Sequence, residues 1–158
     1  MVAVLQDVRE FHVRFSTVKS ADPVEKIFAA LDISIEFYIG DPVFYRTLWA
    51  AVFDTSDGVR EEILNPKRDA FWRALLVEAA DAGAIATDID LDQLQRQLEL
   101  MLRSALFAWV VGEVSSERLG WLARLGYGLI LSGAASPDWR GPLRARVIAS
   151  QEALEPTN

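Results

Sequence analysis

Apolar residues return at steps of three and four through most of this chain, and no convincing strand pattern interrupts them, so everything periodic predicts helix. A first helix over about Val2 to Lys19 carries Val4, Val8, Phe11, Phe15 and Val18 on one stripe. Asp22-Pro23 reads as an N-cap followed by proline in the first turn, and it opens a second helix to about Ile39 with Ile27, Leu31, Ile35 and Tyr38 on one face. Asp41-Pro42 repeats the signal for a short aromatic helix carrying Phe44, Tyr45, Trp49 and Phe53.

After the turn-rich segment Asp54-Thr55-Ser56-Asp57-Gly58, Asn65-Pro66 starts a helix bearing Phe71, Trp72, Leu75, Leu76 and Ala79, which Gly83 ends. Asp90 with Gln93 three residues on forms a capping box for a long helix, and Ser115 or Ser116 caps the next. A last amphipathic helix runs from about Pro137 to Leu154, with a frayed tail expected beyond it. The expected fold is an all-α bundle of about six to seven helices in a single domain over residues 1–158.

The long helix is unusual in being apolar on more than one side. From Leu98 to Val111 its polar residues are Glu99, Arg103 and Ser104, so one side is left over after the domain's own core is served. Pairing with a second copy is the simplest burial for that side, because most soluble oligomers are symmetric dimers. The next helix carries Gly120, Gly126 and Gly128, each costing about 1 kcal/mol against alanine, which close helix approach offsets. Gly126, Ile130 and Gly133 form a groove on one side, into which Trp109 or Phe107 packs from the same chain or a partner. The expected dimer contacts are Trp109, Gly112, Leu119, Leu122, Gly126 and Ile130, in a four-helix bundle.

Composition narrows the function classes. A net charge of -7 argues against a stand-alone nucleic-acid binder, and the nearest basic cluster, Arg140, Arg144 and Arg146, reads as the solvated side of the last helix. There is no cysteine, which fits a cytoplasmic location. The longest charge-free runs fall short of the roughly 20 apolar residues a membrane span needs, and charge comes too early for a signal peptide.

The candidate chemistry is equally sparse. No nucleophile elbow, phosphate-binding glycine loop or histidine pair appears, so no catalytic residues are assigned and an enzyme is not expected. Asp88, Asp90, Asp92 and Glu99 superficially match a calcium loop, but Gln93 stands where the loop needs glycine, so no metal or cofactor is assigned. Two further readings stay open. His12 is either a ligand contact or a satisfied surface or core histidine, and the aromatic set from Phe37 to Phe107 is either pocket wall or ordinary core.

The order of these elements, with Gly83-Ala84-Ile85 and Asp88-Ile89-Asp90, then Trp109-Val110-Val111-Gly112 with Ser115-Ser116, then Leu129-Ile130-Leu131-Ser132-Gly133-Ala134, resembles the C-terminal half of the TetR/AcrR transcriptional regulators. Leu5-Gln6-Asp7-Val8 is similar to the helix that in that family leaves the DNA-binding helix-turn-helix. The resemblance implies a homodimeric, ligand-sensing domain acting on a helix-turn-helix that this chain lacks, as a fragment of a longer regulator would. A small, mostly apolar effector is then expected against His12, Phe15, Phe37, Tyr38, Tyr45, Trp49, Trp72, Arg103 and Phe107, with Arg103 either an anchor for an acidic group or paired to Glu99. Effector binding would shift the first helix and with it the separation of two DNA-binding heads. A ligand-free helical dimerisation scaffold is the alternative.

Overall fold

Aspartate and proline set the helix starts. The computed structural model describes residues 2–54 and 66–155, and among these it holds seven helices: α1 (Val2–Ser16), α2 (Pro23–Gly40), α3 (Pro42–Phe53), α4 (Pro66–Asp81), α5 (Leu91–Val110), α6 (Ser116–Ala134) and α7 (Pro137–Leu154). The Asp22 carboxylate accepts from the Val24 and Glu25 N–H groups, Asp41 from Phe44, and Asp90 from Asp92 and Gln93, at 2.8–3.1 Å. Each carboxylate thus satisfies helix donors that have no partner within the helix. The expected Asn65 cap and the turn residues Thr55 to Gly58 lie outside the described residues.

Four helix ends differ from expectation or refine it. The first helix stops at Ser16 rather than Lys19, because the Thr17 and Val18 N–H groups turn back to the Arg14 and Phe15 carbonyls. Ser115 holds the N-cap position of α6 without a side-chain cap bond, while the Ser116 hydroxyl accepts from the Trp109 indole N–H at 3.0 Å. Gly112, expected at a dimer contact, follows α5 at φ 84° and Gly83 follows α4 at φ 77°, the left-handed conformation that ends helices and favours glycine.

The core is built on α2, with α3, α4, α5 and α6 around it. Ile27 and Leu31, Trp49, Leu106 and Trp109, and Leu119 are its largest fully buried side chains. A five-residue link folds α6 back along α5, and α7 returns along α6 after only Ala135 and Ser136. Backbone bonds from Ala86 to Ala134 and from Ser136 to Ala84, both 2.9 Å, tie the α4–α5 link to the α6–α7 link.

Two of the helical glycines, Gly126 and Gly128, are accounted for by close contacts inside the chain, whereas a Cβ on Gly133 would meet nothing within 4 Å. The Met101 thioether fills the place a Cβ would take on Gly126, so Met101, rather than Trp109 or Phe107, occupies the expected groove. A Cβ on Gly128 would meet Val147 Cγ2 at 2.9 Å, which lets α7 lie close on α6. Ion pairs tie α2 to the later helices, Asp32 to Arg124 at 2.6 Å and Glu25 to Arg146, with the Arg146 guanidinium 4.7 Å from the Phe28 ring centre. These pairs are partly solvated, so each contributes at most about 1 kcal/mol. Among the basic residues of α7, Arg140 and Arg144 are exposed as expected.

Candidate ligand sites and an outer apolar face

The nine expected ligand contacts do not surround one space; they fall into separate groups. His12 and Phe15, with Phe11, close on the edge of Phe71 at ring separations of 5.1–5.6 Å, which docks α1 against α4. His12 is exposed in this seam. Tyr38 packs edge-on to Tyr45 and Trp49, Trp49 lies against Phe53, and Phe53 meets the edge of Phe107. This ring series joins α2 to α3 and α3 to α5, and it is core at Tyr45 and Trp49 but half exposed at Phe107. Arg103 pairs with Glu99 at 3.7 Å, the second of its two expected fates.

Trp72 is the one expected contact that borders an interior void, of about 20 Å³, between α2, α4, α5 and α6. Its apolar wall is Ile27, Trp72, Leu76, Leu98 and Leu102, and its polar groups come from Arg68, Gln95, Glu99 and Tyr127. That volume admits about one water molecule. The Gln95 amide donates to Glu99 Oε1 and to the Asp69 carbonyl, both at 3.0 Å, so this polar side is organised by hydrogen bonds.

A second space, a cleft of about 300 Å³, opens where α1 crosses the end of α2 and the start of α3. Phe37 and Tyr45 line it, as do Phe44, Gly40 and the carboxylates of Asp7, Glu36 and Asp41. The Tyr45 hydroxyl donates to Asp7 and the Arg14 guanidinium donates to Glu36, so both polar ties hold α1 down at this cleft. Arg14 also sits 5.3 Å from the Phe37 ring centre. From Gln6 to Ser16 no residue of α1 is buried, so this part of the helix is held along its edges.

Burial pushes the Tyr45 phenol pKa up, assisted by its hydrogen bond to Asp7, and burial does the same to Tyr127. Both groups therefore keep their protons in the folded chain at pH values where the unfolded chain loses them. The folded state then binds more protons, and its stability falls as pH rises past about 10. Tyr127→Phe is expected to flatten this loss, measured as the denaturant midpoint at stepped alkaline pH. An unaltered pH slope would contradict the burial of that phenol.

The expected dimer contacts also divide. Trp109 and Leu119 are fully buried within one chain, so they belong to its own core rather than to an interface. Gly126 is filled by Met101, Gly112 ends α5, and Leu122 and Ile130 are half-buried at the margin of the core. The outward side of α5 instead presents Leu100 and Phe107, continued by Val111 just past its end, and that of α6 presents Leu129, all about half exposed. Two-sided apolarity is thus real in α5, with the buried side at Leu94, Leu98, Leu102, Leu106 and Trp109 and the open side opposite.

The polar residues around the void and the cleft that sequence reasoning missed come from several parts of the chain: Gln95 and Glu99 from α5, Asp7 from α1, Glu36 from α2 and Asp41 from the link before α3. Gln95 and Glu99 did carry a signal, being four apart along the flank of the Leu94-Leu98-Leu102 stripe. Asp7, Glu36 and Asp41 carried none, since only the packing of three helices unites them. Among the described residues, no group of histidine, cysteine or carboxylate side chains is placed to hold a metal ion, and no helix is long and apolar enough to cross a membrane. No protein-family model, curated protein or solved structure matches the chain.

Proposed function

We propose that this chain is the dimerising, effector-sensing domain of a transcriptional regulator similar to the TetR/AcrR proteins, controlling a helix-turn-helix head joined ahead of α1. The observation that carries this reading is the apolar outer side of α5 and α6, Leu100, Phe107, Val111 and Leu129, on two adjacent helices. A patch of this kind exposed on a chain suits an isologous contact with a second copy. Support for the sensing part comes from α1, which is fastened by edge contacts to α4 and by the Asp7 and Arg14 ties, so its position responds to small changes beneath it. The buried Trp49 indole N–H has no hydrogen-bond partner among the described residues, which leaves a donor for a bound molecule. A mostly apolar effector at Trp72 and Tyr127 requires the void there to widen.

The smallness of that void favours a second reading, a ligand-free dimerisation scaffold. Both readings require dimerisation, and only the first makes α1 a transmitting arm. The test is a fusion of a well-behaved helix-turn-helix head ahead of α1. The fusion is expected to bind DNA carrying two half-sites far more tightly than DNA carrying one, because two heads are delivered together. Equal affinity for one and two half-sites would sink the regulatory reading.

A further inference from the structure

The interior void between α2, α4, α5 and α6 holds one polar group that the fold leaves without a partner. Of the polar residues on its rim, Gln95 donates to Glu99 and to the Asp69 carbonyl, Glu99 also faces Arg103 at 3.7 Å, and the Arg68 guanidinium lies 5.9 Å from the Trp49 ring centre. The Tyr127 hydroxyl stands apart from them. Tyr127 is 2% exposed, it lines the void, and among the described residues its hydroxyl makes no hydrogen bond. A buried hydroxyl without a partner is costly, so its place at a cavity wall calls for an acceptor inside that cavity. Burial also keeps the phenol protonated, which leaves it a donor at neutral pH.

Charge and shape define what can supply that acceptor. The rim carries one cation, Arg68, and one anion, Glu99, whose fields offset each other, and both are already engaged. An ionised group entering past them would be buried against Ile27, Leu76, Leu98 and Leu102 without an opposite charge of its own, which disfavours it. A neutral oxygen meets no such obstacle. The Trp72 and Tyr127 rings meet edge-on at 6.2 Å, an arrangement to which a further flat ring can add. About 20 Å³ admits the acceptor atom alone, so a ring needs one wall to give way, and Trp72, at 9% exposure, is the apolar wall residue nearest the surface. We propose that this void takes a small, neutral aromatic molecule bearing a carbonyl-type oxygen, which accepts from the Tyr127 hydroxyl while its ring displaces Trp72 outward. The inference rests on reading the void as the effector site, and it adds the effector's chemical class.

The experiment is calorimetric titration of the whole chain with acetophenone, with ethylbenzene as a molecule of similar shape lacking the acceptor, and with benzoate as a charged acceptor. Acetophenone is expected to bind saturably, one molecule per chain, and about tenfold more tightly than either of the others. Tyr127→Phe keeps the ring and removes the hydroxyl, so it is expected to bind acetophenone and ethylbenzene alike, with ethylbenzene affinity as in the parent. Should that variant fail to fold, the three-way comparison on the parent chain decides alone. No saturable binding of acetophenone, equal binding of ethylbenzene, or tighter binding of benzoate would overturn the proposal, as would a folded Tyr127→Phe chain that keeps the preference for acetophenone. The half-site fusion reads the regulatory role separately. A fusion that prefers two half-sites beside a chain that ignores acetophenone removes the ligand class alone, whereas acetophenone binding beside a fusion without that preference removes the regulatory reading alone.

Discussion

Trp109→Ala is expected to destabilise the chain by about 3–5 kcal/mol, the range for removing a large aromatic side chain from a packed interior. Trp109 is fully buried, its indole N–H donates to the Ser116 hydroxyl at 3.0 Å, and the Arg46 guanidinium lies 5.0 Å from its ring centre. The substitution empties that volume and also strips the Ser116 hydroxyl and the Arg46 guanidinium of their partner. A loss of that size is a large share of the roughly 5–15 kcal/mol that holds a domain folded, so the urea midpoint should fall sharply. Val77→Ala, on the open side of α4, is the reference and should cost under about 1 kcal/mol. Urea midpoints for the two variants decide the matter. A Trp109→Ala loss no larger than that of Val77→Ala would remove Trp109 from the core.

The second large effect concerns association. Leu100→Glu and Leu129→Glu place a carboxylate on the outer side of α5 and α6, where the parent side chains are 49% and 55% exposed in the single chain. A solvated glutamate there costs the monomer little, since no core contact is lost. In a dimer that covers this side, the same charge is buried without a partner and facing its own symmetry copy, so the dimer dissociation constant should rise by about a hundredfold or more. The combination of unchanged melting of the dilute chain with a lost dimer is what separates an interface residue from a core residue. Trp109 and Leu119 should behave in the opposite way, losing fold and association together.

The contrast between these two sets explains where sequence reasoning succeeded. Helix starts were readable because Asp22, Asp41 and Asp90 cap through local bonds within three residues, and the end of α4 because Gly83 adopts a conformation that glycine favours, whereas Gly112, which ends α5 in the same way, was expected at a dimer contact instead. The apolar surplus of α5 was readable because helical spacing sorts side chains around an axis. Which side of the surplus faces inward was not, since Leu98, Leu100, Leu102 and Phe107 are chemically alike and only the packing of α2 and α6 selects among them. Trp109 looked like a bulky interface residue for the same reason.

The sites were harder still. Aromatic residues on four helices can converge on one space only if the helices turn the matching faces inward, and His12 and Phe15 instead meet Phe71 at the edge of α4. Tyr127 reaches the void because α6 turns one side to Trp72 while Gly128, one residue on, turns toward α7. A single-residue rotation of α6 would exchange those two environments, and nothing local in the sequence sets that angle. The acidic cleft is the extreme case, since its three carboxylates come from α1, α2 and the link before α3.

The central claim is that the outer side of α5 and α6 joins two copies of this chain. Its most direct test is the molar mass of the parent chain in solution, by light scattering over the micromolar range, set against a subunit of 17.6 kDa. The account predicts twice the subunit mass for the parent and the single mass for Leu129→Glu at the same concentration. A parent chain that stays at the subunit mass throughout that range would contradict it.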